Sequence, residues 1–568
     1  MPSSGDAIPM SKKKKKLLFF AFLTTLLLVS ATVGIVAGVN SRNNSDADID
    51  NIHFTPSHHI VKTACSSTLY PELCFSAITA EPGFTEKVST HRDVIELSLN
   101  VTVRSVKQNK FIVKKIQAKK GLSKRQKVAL RDCLETIQDT LFELGRVIAD
   151  LKNSANRADD IKTFLSTAIT NQETCLDGFS FNNADRRVRK GLSSGQVHVE
   201  RLCSNALAMF KNMTGHEMPS RSNRKLMELE EVDGGTWPAW MTAEDRRLLQ
   251  SGTETANVVV AADGSGNYRT VSEAVAAAPA RSSTRYVIRI KAGVYRENVE
   301  VPSSKTNIMF VGDSRTNTII TGSRNVVDGS TTFNSATVAA VGDGFMAREI
   351  TFQNSAGPSK GQAVALRAGA DLSAFYRCAF LAYQDTLYVH SNRQFFTDCL
   401  VVGTVDFIFG NSAAVLQNCD IRPRLPLRGQ SNMVTAQGRS DPNQNTGIVI
   451  QNSKITANSD LEAQKGSVRS YLGRPWREYS RTVIMKTYID DVIDPEGWHR
   501  WDGDFALDTL FYGEYQNTGS GADTSRRVNW KGFNVITSAS EAQTFTAQNF
   551  IEGSGWLSST GFPYTLGL

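Results

Sequence analysis

The stretch "YRCAFLAYQDTLYVHSNRQFFTDCLVVGTVDFIFGNSAAVLQNCDI", Tyr376 to Ile421, says one short phrase three times. The phrase is an apolar run with a cysteine in a fixed place: "YRCAF", "FTDCLVV", "LQNCDI". Further out, "FQNSAG" (352–357) and "IQNSKI" (450–455) repeat it with serine. Aligning the small residue gives Ser355, Cys378, Cys399, Cys419 and Ser453, at intervals of 23, 21, 20 and 34. Short β-rich units at such a period predict a parallel β-helix, each coil made of three short strands and three bends. Equivalent residues of successive coils then stack about 4.8 Å apart, the spacing of hydrogen-bonded strands. That places the Cα atoms of Cys399 and Cys419 inside the disulfide range of about 4.4–6.8 Å. A Cys399–Cys419 bond is therefore expected, with Cys378 stacked beside it as a buried thiol.

The same period organises the acids. Asp385 in "AYQDTLYVH" and Asp406 in "GTVDFIFG" interrupt apolar runs and differ by 21, the Cys378-to-Cys399 interval. They should occupy equivalent places on adjacent coils and point the same way. Gln362 lies 23 before Asp385, as Ser355 lies 23 before Cys378, which extends the column upward. Side chains alternate along a strand, so Gln384 either reaches the column from a bend or faces away. Two carboxylates this close do not both ionise easily, so one becomes a neutral acid beside a carboxylate nucleophile or base. Two acids among amides are a poor calcium cage, and no metal site is expected. His390 and His499 have no partner at a diagnostic spacing. In "YLGRPWREYSRTVIM", Arg474 can grip a carboxylate with two parallel hydrogen bonds. Trp476 offers a flat face for a sugar ring, and Tyr383, Phe407 and Trp501 are candidate cleft aromatics or core.

The rest of the chain divides by texture. With 568 residues, at least two domains are expected. The formal net charge of +8 lies mostly before residue 250, beginning with Lys12 to Lys16, while the later part nearly balances. A nucleic-acid partner is thereby disfavoured. Residues 1–16 form a basic tail, and residues 17–39 carry no charge. Roughly 20 apolar residues span a bilayer as a helix, and preceding lysines stay cytoplasmic. This predicts a signal anchor; a cleaved signal peptide, with its usual apolar core of about 7–15 residues, is the alternative. Either one sends the chain into the secretory pathway. Residues 40–54 read as a polar stalk. From 55 to 212 the pattern is helical: Leu130, Leu134, Ile137, Leu141, Leu144 and Ile148 recur at spacings of 3 and 4. A small four-helix bundle fits. Cys65 and Cys74 can staple a hairpin there, Cys133 and Cys175 can join two long helices, and Cys203 is left over. Sequons stand at Asn43, Asn100 and Asn212. Residues 213–250 read as a linker with two dibasic pairs, Arg224-Lys225 and Arg246-Arg247. Exposed linkers are where nicking concentrates. Residues 251–568 are the β-helical part.

With these residues in hand, the chain resembles the plant pectin methylesterases (pectinesterases) that carry an N-terminal inhibitor-like pro-region. The resemblance rests on "GVYRENV" (293–299), "GQAVALR" (361–367), "YQDTLYVH" (383–390), "GTVDFIFGNSAAV" (403–415) and "LGRPW" (472–476), in family order. It implies a right-handed parallel β-helix preceded by an all-α four-helix bundle. The implied activity is hydrolysis of the galacturonate methyl ester of pectin, with a role in cell-wall modification. By resemblance Asp406 is the nucleophile and Asp385 the general acid and then base. Gln384 and Gln362 stabilise the oxyanion, Arg474 orients the nucleophile, Trp476 packs on the substrate, and Thr332 touches it. The resemblance also implies the disulfides Cys65–Cys74 and Cys133–Cys175. It implies cleavage at Arg246-Arg247 by a subtilisin-like protease, with "RKLM" a weaker copy, and a bundle that inhibits the enzyme or escorts it until then. A proteinaceous pectin methylesterase inhibitor is an implied partner, a monomer the implied state, and no cofactor is implied. The pro-form would sit in the Golgi membrane and the product in the cell wall.

Overall fold

The computed structural model describes residues 55–152, 157–180, 183–217 and 255–568. The expected anchor at 17–39, the sequon at Asn43 and the dibasic pairs at 224–225 and 246–247 lie outside the described residues. Among the described residues no helix is long and apolar enough to cross a membrane.

The helical region begins with α1 (Pro56–Ser66), α2 (Pro71–Thr79) and α3 (Phe84–Lys87). Four long helices follow: α4 (His91–Gln117), α5 (Lys124–Lys152), α6 (Ala158–Asp177) and α7 (Asn183–Glu217). Helix α4 starts on a capping box, Thr90 accepting from the Asp93 N–H while the Asp93 carboxylate accepts from the Thr90 N–H. Each long helix packs against two others, α4 on α5, α5 on α6, α6 on α7 and α7 on α4. Leu130, Ile137 and Leu144 of α5 are fully buried, and Leu134, Leu141 and Ile148 pack half-buried against the same core. Cys65–Cys74 and Cys133–Cys175 are bonded, the second joining α5 to α6. Cys203 is a buried free thiol. Asn100 and Asn212 are exposed.

The remainder is a β-solenoid. Its strands, β1 (Val258–Val260) to β26 (Phe533–Val535), form three all-parallel sheets of eleven, seven and eight strands. In the seven-stranded sheet the neighbours run Ser470–Gly473, Asn432–Gln437, Ile408–Gly410, Leu387–Val389, Leu366–Ala368, Val338–Ala340 and Val299–Val301, every third strand of the chain, so each coil gives one strand to each sheet. Like residues stack inside: Phe375 lies on Phe396 at 4.7 Å and Phe352 on Phe380 at 5.7 Å. Residues 60–568, helices and solenoid together, form one compact unit.

One corner of each coil is set by backbone conformation rather than by residue type. Glu349, Arg377, Asp398, Asn418, Asn452, Lys486 and Gln516 all take left-handed φ between 48° and 56°. The next residue starts the inward stack: Ile350, Cys378, Cys399, Cys419, Ser453, Thr487 and Asn517. Thr351 pairs with Ala379, so the residue one coil before Cys378 is Ile350, not Ser355. The alignment on Ser355 was therefore five residues out of register.

The expected Cys399–Cys419 bond is absent; both are free thiols, as is Cys378. In-register parallel strands hold equivalent Cβ atoms at the strand spacing of about 4.8 Å, whereas a disulfide wants them about 3.5–4.5 Å apart. The thiols turn to backbone instead, Cys399 Sγ donating to Thr397 O at 3.3 Å and Cys419 Sγ to Gln417 O at 3.2 Å.

Candidate active site

Asp385 and Asp406 sit not within strands but in two matching turns, each two residues before a strand: β13 (Leu387–Val389) and β16 (Ile408–Gly410). Both take left-handed φ, 62° and 52°. Aspartate tolerates that region better than most residues, and non-glycine residues held there gather at functional sites. The two turns are adjacent coils: Asp385 N–H donates to Val405 O at 3.1 Å, and Leu387 pairs with Ile408. The turn also settles Gln384. Strict alternation does not hold in a bend, and Gln384 and Asp385 line the same cavity.

Gln362 lines this cavity too, but by a different route from the one its spacing suggested. The strand β10 (Leu366–Ala368) pairs Leu366 with Leu387, an offset of 21, so the coil equivalent of Asp385 is Val364. Gln362 reaches the cavity from the loop ahead of that position.

The cavity encloses about 390 Å³, and Thr332, Gln362, Gln384, Asp385, Asp406, Arg474, Trp476 and Trp501 all face it. Arg474 donates from Nε to Asp406 Oδ1 at 2.8 Å and from Nη2 to Oδ2 at 2.7 Å. Its own guanidinium lies 4.4 Å over the Trp501 ring. Asp385 has no such clamp. Burial pushes its carboxyl well above the ordinary range, the Asp406 charge pushes it further, and Arg474 opposes. Asp385 is thereby favoured in its protonated form, while Asp406 receives both arms of the Arg474 fork. Trp476 meets Phe409 edge-on at 5.9 Å. Gly438 makes its seat, since a Cβ there would lie 2.8 Å from Trp476 Cε3.

Tyr383 and Phe407 do not belong. Arg424 covers the Tyr383 ring at 4.0 Å, and Phe407 is in the solenoid core. His390 is buried, bonded to Thr174 and Ser391, and burial lowers its pKa to about 3. His499 rests against Tyr471. Two wall residues were missed although the period marks them: Tyr388 and Phe409, 21 apart and each three residues after its acid, stack at 4.2 Å and line the cavity. Among the described residues no group of three His, Cys, Asp or Glu side chains is placed to hold a metal ion.

The cavity has a second wall that nothing in the sequence announced. Thr174, Asp177, Gly178 and Ser180, at the end of α6 and just beyond, line it from the helical region. Helix α6 lies against the solenoid with a polar stripe. Thr163 accepts from Asn445, Thr167 donates to Asn392, Thr170 accepts from Asn411 and Asp177 accepts from Arg477. Helix α5 adds Asp132 to Thr331, Glu135 to Arg367 and Arg146 to Asp343.

Residues 257–554 match the model of the family described as Pectinesterase, more than half the chain. The chain belongs to the pectinesterase family. Residues 59–209 of this pectinesterase match a second model, Plant invertase/pectin methylesterase inhibitor. It is 65% identical to Pectinesterase 1 of Citrus sinensis, over 94% of this chain and 92% of the relative. It is 63% identical to Pectinesterase/pectinesterase inhibitor U1 of Solanum lycopersicum, over 95% of each. Among solved structures, the pectin methylesterase from carrot matches with a TM-score of 0.56 and 71% identity, covering 56% of this chain and all of the carrot chain.

Proposed function

We propose that Asp385 and Asp406 hydrolyse the methyl ester of galacturonate in pectin, with Asp406 as the nucleophile. One Asp406 oxygen attacks the ester carbonyl carbon. The tetrahedral oxyanion forms beside Gln384 and Gln362, whose amide N–H groups can donate to it; such donors are each worth about 10²–10³ in rate. The carbonyl reforms as the C–O bond to methoxide breaks, and the Asp385 proton goes to that oxygen. Methanol leaves, and Asp406 is acylated as an anhydride. Water then attacks the anhydride carbonyl, giving its proton to the Asp385 carboxylate. Asp406 leaves the anhydride as a carboxylate, Asp385 keeps the proton it took from water, and the galacturonic acid product gives its remaining proton to solvent. Arg474 positions the nucleophile, Trp476 supports the sugar, and Thr332 contacts it. The observation that carries this reading is the asymmetry of the pair, Asp406 clamped by Arg474 and Asp385 buried without a clamp. Methanol release by the cut chain, with Asp406→Asn and Asp385→Asn beside it, tests it; equal release by wild type and Asp406→Asn overturns it.

The helical region reads as a closed four-helix bundle, residues 55–212, joined by the 213–250 linker to the catalytic part at 251–568. Its cavity-lining residues Thr174, Asp177, Gly178 and Ser180 stand where the polymer would pass, which supports a pro-region that blocks the site until it is removed. Removal would follow cleavage after Arg247 by a subtilisin-like protease, and the freed enzyme would act as a monomer in the cell wall. The charge-free run at 17–39 supports a membrane-anchored precursor. Exposure of Asn100 and Asn212 supports glycosylation there. Equal specific activity of the cut and uncut chains overturns the blocking role.

A further inference from the structure

We propose that a crevice between helix α5 and the solenoid binds a carboxylated sugar, the de-esterified galacturonate of the product, and that this ligand braces the helical region on the solenoid. The proposal rests on the reading of that region as a removable pro-region, and not on which aspartate attacks the ester.

The crevice is separate from the catalytic cavity and has a volume of about 390 Å³, inside the range of about 300–1,000 Å³ usual for small-ligand sites. Lys124, Val128 and Arg131 line it from α5, at spacings of 4 and 3 that put them on one helix face. Arg324, Ser330 and Asn334 line it from the solenoid. Arg125 ties the two sides together, donating from Nη2 to Val326 O.

Its charges are unbalanced. Among the described residues, Lys124, Arg131 and Arg324 make no ion pair and no side-chain hydrogen bond. Asp328, the one acid on the lining, is already engaged: Lys360 donates to its Oδ1 at 2.7 Å and Asn325 Nδ2 to its Oδ2 at 2.8 Å. Ser330 Oγ is buried without a hydrogen-bond partner. A buried polar atom of that kind is rare in native structures and calls for a ligand oxygen or a water. The positive field also extends beyond the crevice. Residues 97–131, most of α4 and the start of α5, hold eleven Lys and Arg and no Asp or Glu. Such a field draws polyanions in and speeds their association.

The lining suits an acidic sugar. Two guanidinium groups and an ammonium take a carboxylate through charge-assisted hydrogen bonds. Ser323 and Asn334 offer a hydroxyl and an amide to ring hydroxyls, and Val128 gives a ring face an apolar contact. A methyl ester lacks the charge that three cations select, so the ligand is the product and not the substrate. A ligand held from both sides binds the docked state better than either half alone, and by linkage it strengthens docking. The crevice also shares a wall with the catalytic cavity. Ser330 and Asn334 line the crevice, while Thr331, Thr332 and Phe333 between them line the cavity. Thr331 donates to Asp132, the neighbour of Arg131 on α5. Accumulated product would thus hold uncut chains shut.

The test titrates trigalacturonate, and its fully methylated ester, into the uncut chain by calorimetry. Wild type should bind the acid and not the ester. Arg131→Gln and Arg324→Gln, both at exposed positions, should each weaken binding about tenfold or more, the loss of one charge-assisted contact. The catalytic cavity is the rival site, and binding there ignores both substitutions. Unchanged affinity in the double variant therefore overturns the proposal, and sulfate binding as tightly as trigalacturonate at equal ionic strength overturns the choice of a sugar acid. A second measurement reads the bracing. After a cut in the linker, release of the helical part from the solenoid, followed by gel filtration, should slow about tenfold with trigalacturonate in wild type and not in the double variant. A sugar in the catalytic cavity would displace the helical wall instead, so unchanged or faster release overturns the bracing. Neither measurement involves ester hydrolysis. Methanol release by Asp406→Asn would sink the mechanism and leave this site standing, and equal activity of cut and uncut chains would sink the pro-region reading while the calorimetric result holds.

Discussion

Two arginines three residues apart each grip one aspartate. Arg474 holds Asp406 at 2.7–2.8 Å, and Arg477 holds Asp177 at 2.7–2.8 Å. The bond lengths are the same and the consequences differ. The first pair is wholly within the solenoid and survives any cut in the linker. It fixes the direction of the Asp406 carboxyl group, the nucleophile in the proposed mechanism. The second crosses from solenoid to helix, and on the proposed reading of that region as a removable pro-region it would last only until removal. In the proposed reading, one motif, "GRPWR", would serve the chemistry with one guanidinium and the docking of the helical region with the other.

The comparison breaks most decisively at the first pair. Asp406→Asn should lower methanol release by the cut chain about 10⁴-fold or more, since loss of a nucleophile removes the pathway rather than a contact. Gln384→Ala should cost about 10²–10³ in kcat, the range for one lost oxyanion donor, with KM little changed. A loss confined to KM would return Gln384 to the role of a passive wall.

At the second pair the sign reverses. Asp177→Asn in the uncut chain removes a charge-assisted contact worth roughly 1.5–3 kcal/mol, so leak activity should rise about tenfold or more. The cut enzyme gives the baseline, because Asp177 is absent from it. If the uncut variant stays as silent as wild type, the other contacts of α5 and α6 carry the docking and the Arg477–Asp177 bond is incidental.

The same contrast explains what the sequence disclosed. The solenoid was legible because stacking repeats residue types, and Cys378, Cys399 and Cys419 mark the coil. The acid pair was legible through that period. Register failed at Ser355 because the true marker is a left-handed corner occupied by Glu, Arg, Asp, Asn, Asn, Lys and Gln in turn, which no alignment of types can find. The disulfide expectation failed because the Cα range was weighed without the wider Cβ separation that in-register stacking imposes. Docking was illegible for a deeper reason. Thr163, Thr167, Thr170 and Thr174 are almost fully buried, yet a polar stripe on a helix reads as a wet face. Only the partner surface, with Asn445, Asn392, Asn411 and His390, makes it a dry one.

That dry junction should respond to pH, by a smaller amount than the substitutions above. Burial raises the pKa of Glu173 to about 8, with Glu200 and Asp177 adding to the rise and Arg477 opposing it. Burial likewise raises Asp132 and Glu200 to about 7. For such a group the docked state binds the proton more tightly than the free one. Its contribution to docking is complete below the ordinary carboxyl range and is lost as pH rises through the raised value. His390 acts oppositely. Its docked pKa is about 3 against an ordinary 6.5, so its contribution is present above 6.5 and lost as pH falls through the interval. Below about 6.5 the two trends partly cancel. Between about 6.5 and 8 only the carboxylates titrate, and docking should weaken steadily. Leak activity of the uncut chain, divided by the activity of the cut enzyme at each pH, should therefore climb across that window. Glu173→Gln should reduce the climb, most of all above pH 7, since an amide at 173 stays neutral while Asp132 and Glu200 still titrate below it. A ratio that stays level in wild type would mean that water reaches these carboxylates in the docked state, and that the second arginine holds its aspartate in a far wetter setting than the first.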